Sequence, residues 1–238
     1  SAAMAKNFER QFDVKEGGLL DLKTDSGSVH VETHDSATAL VRVEIGGRDA
    51  EDFEVYAELS GNKLRVKGEK SGFGWSSSLK VRFHVTLPKT FNVKIDTAGG
   101  SIRVDDLIGD LNAHTSGGSI QVGTIKGEVD LNTSGGSIRT ERVYGPLNAH
   151  TSGGSIEATF AEQLTEDAEL NTSGGSITAY LIPDIRVDLD ASTSGGRVRT
   201  DFDVNGRIKK RSIRGEINGG GPKLRLHTSG GSVSVKEL

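Results

Sequence analysis

Residues 111–138 read LNAHTSGGSIQVGTIKGEVDLNTSGGSI and contain the unit Thr-Ser-Gly-Gly-Ser-Ile twice. The paired glycines of this unit, or of a close variant, begin at residues 99, 117, 135, 153, 174, 195 and 230, at intervals of 18, 18, 18, 21, 21 and 35 residues. A weaker copy spans residues 24–29. Self-similarity at a fixed period of this length is typical of repeat architectures.

The residues on both sides of each unit alternate between apolar and polar side chains. Counted from the threonine of the unit, positions −4 and −2 are mostly Leu, Val, Ile or Ala, and the positions between them are mostly polar. Apolar residues return at +5 and +7, as at Ile120 and Val122. Period-two alternation predicts strands with one buried face. The apolar positions before the unit (−4 and −2) are even-numbered and those after it (+5 and +7) are odd-numbered. In one straight strand the two sets would face opposite sides, so the residues before and after Ser-Gly-Gly cannot belong to one strand.

The Ser-Gly-Gly segment is therefore predicted to be a corner between two strands, because glycine permits positive φ and close backbone approach. A unit of 18–21 residues with two short strands predicts an all-β chain, a single-chain β-solenoid (β-helix-like) whose equal columns stack about 4.8 Å apart. The predicted structural corners are Gly99, Gly100, Gly117, Gly118, Gly135, Gly136, Gly153, Gly154, Gly174, Gly175, Gly195, Gly196, Gly230 and Gly231. The unit threonines fall on the buried side, where hydroxyls bond to the backbone, although a threonine ladder also suits ice or glycan binding.

The two parts of the chain differ in composition. Residues 8–96 hold eight of the twelve aromatic residues and several alternating stretches. We expect an antiparallel β-section there, with a first repeat and hairpins, that precedes the solenoid and shields its edge. The solenoid is expected over residues 97–238, with an insertion at about 200–225. The two parts are expected to form one continuous domain.

Composition excludes several classes of protein. Gly accounts for 32 of 238 residues, about twice the usual share, but it does not recur at every third position as in collagen. No run of about 18 apolar residues predicts a membrane-spanning helix, and the absence of Cys excludes a disulfide scaffold. The net charge of −4 gives no general attraction to nucleic acid.

The string HVTLPKTFNVKIDTAGGSIRV at residues 84–104, followed by the repeats, resembles the bacterial adhesin-like toast-rack family, whose function is unknown. Residues 12–31 also look like the first repeat of that family, so the resemblance covers about residues 8–238. It implies a right-handed, all-β, solenoid-like fold and no defined catalytic residues. It also implies an extracytoplasmic place in the cell envelope, which a signal peptide or membrane helix upstream of Met4 would support.

Four polar residues in the outward columns are candidates for a binding surface: Asn112, His114, Asn132 and His150. They form either a metal or carbohydrate ladder or a merely solvated one. Two coils place the histidines about 9.6 Å apart, too far for one zinc ion, whose ligands lie about 2.1 Å from it. Calcium is not expected because the turn carries no carboxylate. No metal or cofactor is predicted.

A basic segment and an aromatic loop are two further candidates. Residues 203–225 carry seven basic and two acidic residues, and the candidate residues are Arg207, Lys209, Lys210, Arg211 and Arg214. One interpretation is that they bind anionic lipid headgroups or an acidic polymer. The other is that they lie on a hairpin at the edge of the sheet, where their charge prevents pairing with a strand of another molecule. Phe73 and Trp75 are either a partner anchor or a lid over the first coil.

Asp105, Asp106 and Asp110 are the best candidates for glycosidase chemistry, which needs two carboxylates about 5–9.5 Å apart. Turn chemistry also accounts for them, and no Gly-x-Ser-x-Gly motif is present. The sequence therefore favours a non-catalytic structural or adhesin-like interaction module of the bacterial cell envelope. The alternatives are a carbohydrate-active β-helix enzyme (a polysaccharide lyase or hydrolase) and a glycan-binding protein. A glycan, an envelope protein or an anionic membrane surface is the expected partner, and free solenoid edges would permit oligomers.

Overall fold

The structure is a computed structural model that describes residues 5–72 and 78–238. Across these residues it contains 24 strands and one short 3-10 helix, Ala50–Asp52, so the predicted all-β class is confirmed. The strands form two sheets of twelve strands each. Within the same residues, no helix has the length and apolar character needed to cross a membrane.

The N-terminal strands are β1 Ala5–Asp13, β2 Leu19–Thr24, β3 Ser28–His34, β4 Thr38–Gly46, β5 Phe53–Ser60, β6 Lys63–Lys70, β7 Lys80–Pro88 and β8 Asn92–Thr97. The central strands are β9 Ile102–Val104, β10 Leu107–Ile108, β11 Leu111–Thr115, β12 Ile120–Lys126, β13 Val129–Thr133, β14 Ile138–Val143, β15 Leu147–Thr151 and β16 Ile156–Phe160. The C-terminal strands are β17 Ala168–Thr172, β18 Ile177–Leu181, β19 Val187–Thr193, β20 Val198–Thr200, β21 Asn205–Lys209, β22 Ser212–Ile217, β23 Lys223–Thr228 and β24 Val233–Glu237.

Sheet 1 has the strand order β1-β4-β7-β3-β9-β12-β14-β16-β18-β24-β20, with β10 paired to β12. Sheet 2 has the order β21-β22-β19-β23-β17-β15-β13-β11-β8-β2-β6-β5. The central strands of both sheets are parallel, whereas the pairs β1·β4, β4·β7, β5·β6, β19·β22 and β21·β22 are antiparallel. The antiparallel pairing expected in the N-terminal part therefore lies at the ends of the same two sheets, where β2 and β3 already pair in parallel with the repeat strands.

Each central repeat contributes one strand to each sheet. The repeat that begins with β11 in sheet 2 crosses through residues 116–119 to β12 in sheet 1, and the next repeat does the same with β13 and β14. Leu111 pairs with Val129 in sheet 2, and Ile120 pairs with Ile138 in sheet 1. Equal columns of the repeat thus lie opposite each other, so their apolar side chains form continuous rows between the sheets.

Medium-sized aliphatic side chains fill the space between the sheets. Leu131, Ile138 and Leu147 are almost fully buried, like the equivalent residues in the other repeats. Each repeat buries only a few such side chains, and its neighbours complete the core. This arrangement explains why a chain with few aromatic residues forms one extended core.

The unit threonines are also buried and link neighbouring repeats. The hydroxyl of Thr133 donates to the carbonyl oxygen of Gly118 at 2.6 Å, and Thr151 makes the same bond to Gly136. The structure confirms that these threonines lie on the buried side and bond to the backbone. These hydrogen bonds give each buried hydroxyl a partner. Because the threonines are buried, they cannot form a binding ladder on the surface.

The second glycine of each unit lies where two repeats approach most closely. A Cβ atom at Gly118 would lie 2.3 Å from the Gly100 carbonyl oxygen, whereas one at Gly117 would be 3.4 Å from the nearest atom. Neither glycine has a positive φ. Close approach, rather than a left-handed backbone, is therefore the reason for glycine at these positions.

Spatial order departs from chain order at the C-terminal end. β23 lies between β17 and β19, and β24 lies between β18 and β20. Stacking in simple chain order would instead place β19 beside β17. The last three repeats have equivalent apolar columns, so either order buries the same kinds of side chain. The outer position of β19 allows β22 to pair with it in antiparallel orientation.

The edge strands at the N-terminal end of the two sheets are bridged by side chains. Lys6 Nζ on β1 donates to the Phe53 carbonyl on β5 at 3.0 Å, and an Arg10 guanidinium nitrogen donates to the Ala57 carbonyl at 2.7 Å. These bonds satisfy edge carbonyls that would otherwise invite another strand.

Candidate binding surface

The outer face of sheet 2 carries the four polar residues predicted from the outward columns. His114 on β11 lies opposite Asn132 on β13, which lies opposite His150 on β15. Asn112 points to the same face because it stands two residues before His114 on β11. The structure therefore brings the four candidates together in one surface, at the strand spacing of about 4.8 Å.

This row of side chains, which we call the histidine row, continues over residues that sequence reasoning did not single out. Asn171, His227 and Ser192 follow His150 on the next strands in space. His227 Nδ1 lies 2.8 Å from Ser192 Oγ. Each of these residues stands one position before a unit threonine, so the column that contains His114 already held the signal.

A second row, the carboxamide row, runs parallel to the histidine row two residues earlier on each strand. Its members are Asn112, Asp130, Asn148, Glu169 and Arg225. Arg225 forms an ion pair with Glu169 at 3.5 Å. Amide groups donate and accept hydrogen bonds, and carboxylates accept them. The two rows together present both kinds of group across five adjacent strands.

An open groove of about 750 Å³ borders the carboxamide row at the beginning of the strands. Its charged lining residues are Lys94, Asp110, Glu128, Asp130, Glu166 and Asp167, and Asn112 and Asn148 contribute amides. The carboxylate of Asp110 accepts the Glu128 N–H at 2.9 Å, and that of Asp167 accepts the Lys223 N–H at 2.8 Å. These two carboxylates support the backbone, while Asn112 and Asn148 face the groove from exposed positions.

The predicted basic residues lie together on the hairpin that ends sheet 2. Arg207 and Lys209 are on β21, Lys210 and Arg211 are in the turn, and Arg214 is on β22; all five are exposed. Ser212 and then Lys209 continue the histidine row beyond Ser192. Asp190 follows Arg225 in the carboxamide row, and Arg214 and then Arg207 continue that row. The hairpin therefore lies on the same outer face of sheet 2 as the histidine row and the carboxamide row.

The same hairpin also caps the final repeat. The carbonyl oxygens of Lys210 and Arg211 accept the N–H groups of Val198 and Thr193 at 2.9 and 3.0 Å. In the central repeats, such groups are bonded by the neighbouring repeat, as in the bond from the Ile120 N–H to the Ser137 carbonyl. The backbone of the turn thus completes the fold while its cationic side chains face solvent.

Phe73 and Trp75, predicted as an anchor or a lid, lie outside the described residues. The interpretation of that loop therefore remains a prediction.

The candidate catalytic carboxylates do not act as a free pair. Asp106 accepts the Thr124 N–H at 2.9 Å, in the same way that Asp110 supports the backbone of the next repeat. Asp105 lies 3.3 Å from Arg103 Nε and 3.2 Å from His30 Nε2. These contacts favour the interpretation of Asp106 and Asp110 as turn residues.

A cluster on sheet 1 was missed by sequence reasoning. His30 Nε2 lies 3.2 Å from Asp105 Oδ2, and His30 Nδ1 lies 3.5 Å from Glu32 Oε1. An adjoining cleft of about 400 Å³ is lined by Glu32, Asp105, Asp106 and other residues. Glu32 and Asp105 occupy the same position, eight residues after their unit threonines. Column alignment was therefore the available signal, because it places residues that are far apart in sequence side by side.

Two exposed ion pairs account for clear changes in pKa. The Lys89 ammonium group donates to Asp35 at 2.8 Å, which lowers the pKa of that carboxyl group and raises the pKa of Lys89. The Glu69 carboxylate raises the pKa of Lys67 through a hydrogen bond and charge. Lys67 lies on the outer face of sheet 2, whereas Asp35 and Lys89 lie outside the candidate surface.

The family model described as Toastrack DUF4097 matches residues 76–236 of the chain. No curated protein matches the sequence.

Three solved structures are similar over nearly the whole length. A putative cell adhesion protein from Clostridium sporogenes is 16% identical, with 98% of this chain and 100% of that chain covered and a TM-score of 0.43. A putative adhesin from Bacteroides fragilis is 15% identical, with coverage of 98% and 97% and a TM-score of 0.44. A putative lipid binding protein from Parabacteroides distasonis is 17% identical, with coverage of 96% for both chains and a TM-score of 0.43.

Proposed function

The chain belongs to the Toastrack DUF4097 family, and from this premise we propose that it is a non-catalytic, adhesin-like interaction module of the bacterial cell envelope. Its scaffold is a β-solenoid of 18–21-residue coils with Ser-Gly-Gly corners, entered from the β-section at residues 8–96 and extended through residues 97–238 as one domain. The outer face of sheet 2 is the binding surface, and a glycan chain is its ligand.

The observation that carries this proposal is the register of the two outer rows. His114, Asn132 and His150 lie directly opposite one another on successive strands. Chemically similar groups thus recur at about 4.8 Å, a repeat that suits a polymer of repeating polar units better than one compact molecule. Amides, imidazoles and carboxylates match the hydroxyl groups of a glycan as donors and acceptors.

The groove supplies the second argument for a glycan. It extends past several strands, and its walls combine the Asn112 and Asn148 amides with acidic side chains. An open groove leaves room for a ligand that extends beyond it, whereas a pocket for a small molecule encloses most of its ligand. Many weak contacts along such a chain produce avidity without a single deep site.

The carboxylate contacts support a non-catalytic role. Asp106 and Asp110 accept backbone N–H groups of the next repeat. A general acid or nucleophile for glycoside cleavage needs a free carboxyl group facing the scissile bond. The rival proposal of a carbohydrate-active enzyme therefore depends on Asp105 and the adjoining cleft.

Binding to a glycan array, followed by titration with a selected polysaccharide, tests the proposal. The triple variant Asn112→Ala/Asn132→Ala/Asn148→Ala removes exposed amides and should weaken binding at least tenfold. The control variant Gln121→Ala/Thr178→Ala, on the outer face of sheet 1, should bind like the unaltered protein. Equal loss in both variants, or no glycan binding, would refute the proposal. Turnover of the polysaccharide that disappears in Asp105→Asn would establish the enzyme instead.

A further inference from the structure

His30, Glu32 and Asp105 on sheet 1 have the composition of a metal site. One ligand atom from each residue lies within 4.8 Å of the ligand atoms of the other two. His30 Nε2 and Asp105 Oδ2 are 3.2 Å apart. Two ligands of a tetrahedral zinc ion lie about 3.3–3.6 Å apart, given bond lengths of about 2.0–2.2 Å. This pair therefore fits a zinc ion with very little movement.

Backbone pairing holds the two ligands in place. β3 and β9 are parallel neighbours with His30 opposite Arg103, and the Asp105 N–H donates to the Val31 carbonyl at 2.9 Å. Arg103 Nε lies 3.3 Å from Asp105 Oδ1, so Arg103 engages one oxygen while Oδ2 faces the imidazole. Outer partners of this kind orient metal ligands.

Glu32 can move toward an ion because its side chain is 55% exposed. Its Oε1 now lies 3.5 Å from His30 Nδ1, on the other side of the ring. Because ligand atoms of the three residues already lie within 4.8 Å of one another, rotation of this exposed side chain would let its carboxylate reach an ion bound at Nε2. The adjoining cleft of about 400 Å³ leaves room for water ligands, and the His84 ring is centred 6.3 Å from the His30 ring.

We propose that His30 Nε2, Asp105 Oδ2 and the Glu32 carboxylate bind one divalent transition-metal ion of the zinc class, with water completing the coordination shell. One imidazole and two carboxylates suit such an ion, whereas Ca²⁺ takes six to eight oxygen ligands. The site is on sheet 1 and is independent of the glycan surface on sheet 2. It joins the repeat containing β3 to the repeat containing β9 across residues far apart in the chain.

Isothermal titration of the full, chelator-treated chain with Zn²⁺ tests the site. We expect saturable binding of one ion per chain. His30→Ala and Asp105→Asn should each weaken it at least tenfold, because even loss of an outer partner weakens metal binding by about 10–100-fold. His114→Ala, which removes an equally half-buried imidazole from sheet 2, should bind Zn²⁺ like the unaltered protein.

Circular dichroism of each variant, recorded without metal, verifies that the fold is retained, and X-ray absorption of the loaded protein should show one imidazole among mostly oxygen ligands. Absence of saturable Zn²⁺ binding would overturn the proposal. Equal affinity in His30→Ala, Asp105→Asn and His114→Ala would also overturn it, because the ion would then be bound elsewhere.

Discussion

The two glycines of each Ser-Gly-Gly segment have different surroundings, although the sequence repeats them as a pair. The second one faces the carbonyl oxygen of the equivalent glycine in the neighbouring repeat. At Gly118 an added Cβ would lie 2.3 Å from the Gly100 oxygen, which is backbone and cannot swing away. At Gly117 the nearest atom would be 3.4 Å away. The second glycine thus allows the close approach between neighbouring repeats, whereas the first glycine lies beside that contact with more space around it.

Gly118→Ala should lower the free energy of unfolding by about 3 kcal/mol or more, because overpacking costs about 1–3 kcal/mol even where side chains can adjust. Gly117→Ala should change it by less than about 1 kcal/mol. Neither glycine has a positive φ, so the comparison isolates packing from backbone strain. Urea denaturation of both variants measures the difference. Equal destabilisation would show that close approach is not the reason for glycine at the second position.

The hairpin of β21 and β22 is the element that ends the stack. Ile208 on β21 and Ile213 on β22 lie opposite each other, yet Ile213 is buried against the core while Ile208 is 63% exposed. Through its turn, the hairpin supplies the carbonyl oxygens that bond to the N–H groups of Val198 and Thr193. We therefore expect the packing of Ile213 to hold the turn in place and so to protect the N–H groups of Val198 and Thr193 from water.

Ile213→Ala should destabilise the protein by about 2–4 kcal/mol, which is within the range measured when a buried isoleucine is truncated to alanine. Amide hydrogen exchange at Val198 and Thr193 should become faster, while exchange in β13 changes little. Ile208→Ala is the matched control and should alter stability by no more than about 0.5 kcal/mol. The account of capping would be wrong if exchange at Val198 and Thr193 were the same in both variants.

The least expected feature of the whole molecule is its strand order at the C-terminal end. After β19 the chain turns back, and β23 inserts between β17 and β19. In the strand register, Glu169 on β17 lies opposite Arg225 on β23, and Arg225 lies opposite Asp190 on β19. Glu169 and Asp190 are therefore separated by two strand spacings, about 9.6 Å. Stacking in chain order would make Glu169 and Asp190 direct neighbours.

Cysteine pairs distinguish the two orders, and the 238-residue chain has no cysteine of its own to interfere. A disulfide requires Cα atoms about 4.4–6.8 Å apart. Under mild oxidation, Glu169→Cys/Arg225→Cys should cross-link and Glu169→Cys/Asp190→Cys should not, as measured by thiol titration and by mass spectrometry after proteolysis. The reverse outcome would establish chain-order stacking.

Column alignment predicted much of this architecture, because parallel strands bring equal positions of a repeat side by side. It placed His114, Asn132 and His150 in one row, and it contained the signals for His227 and for Asp105 beside Glu32. It did not predict the position of β23, since the buried columns of the last repeats are interchangeable. In the observed order β19 is free to pair with β22, and the hydrophobic pattern carries no information about that pairing.

The most direct test of the glycan surface uses the six histidines as probes, because three lie on each sheet. His114, His150 and His227 are on sheet 2 strands, and His30, His34 and His84 are on sheet 1 strands. The measurement is imidazole NMR during titration with the polysaccharide selected on the array. The account predicts that the signals of His114, His150 and His227 shift together and saturate, while the other three stay in place. Shifts confined to His30 and His84, or absent from all six histidines despite binding, would contradict it.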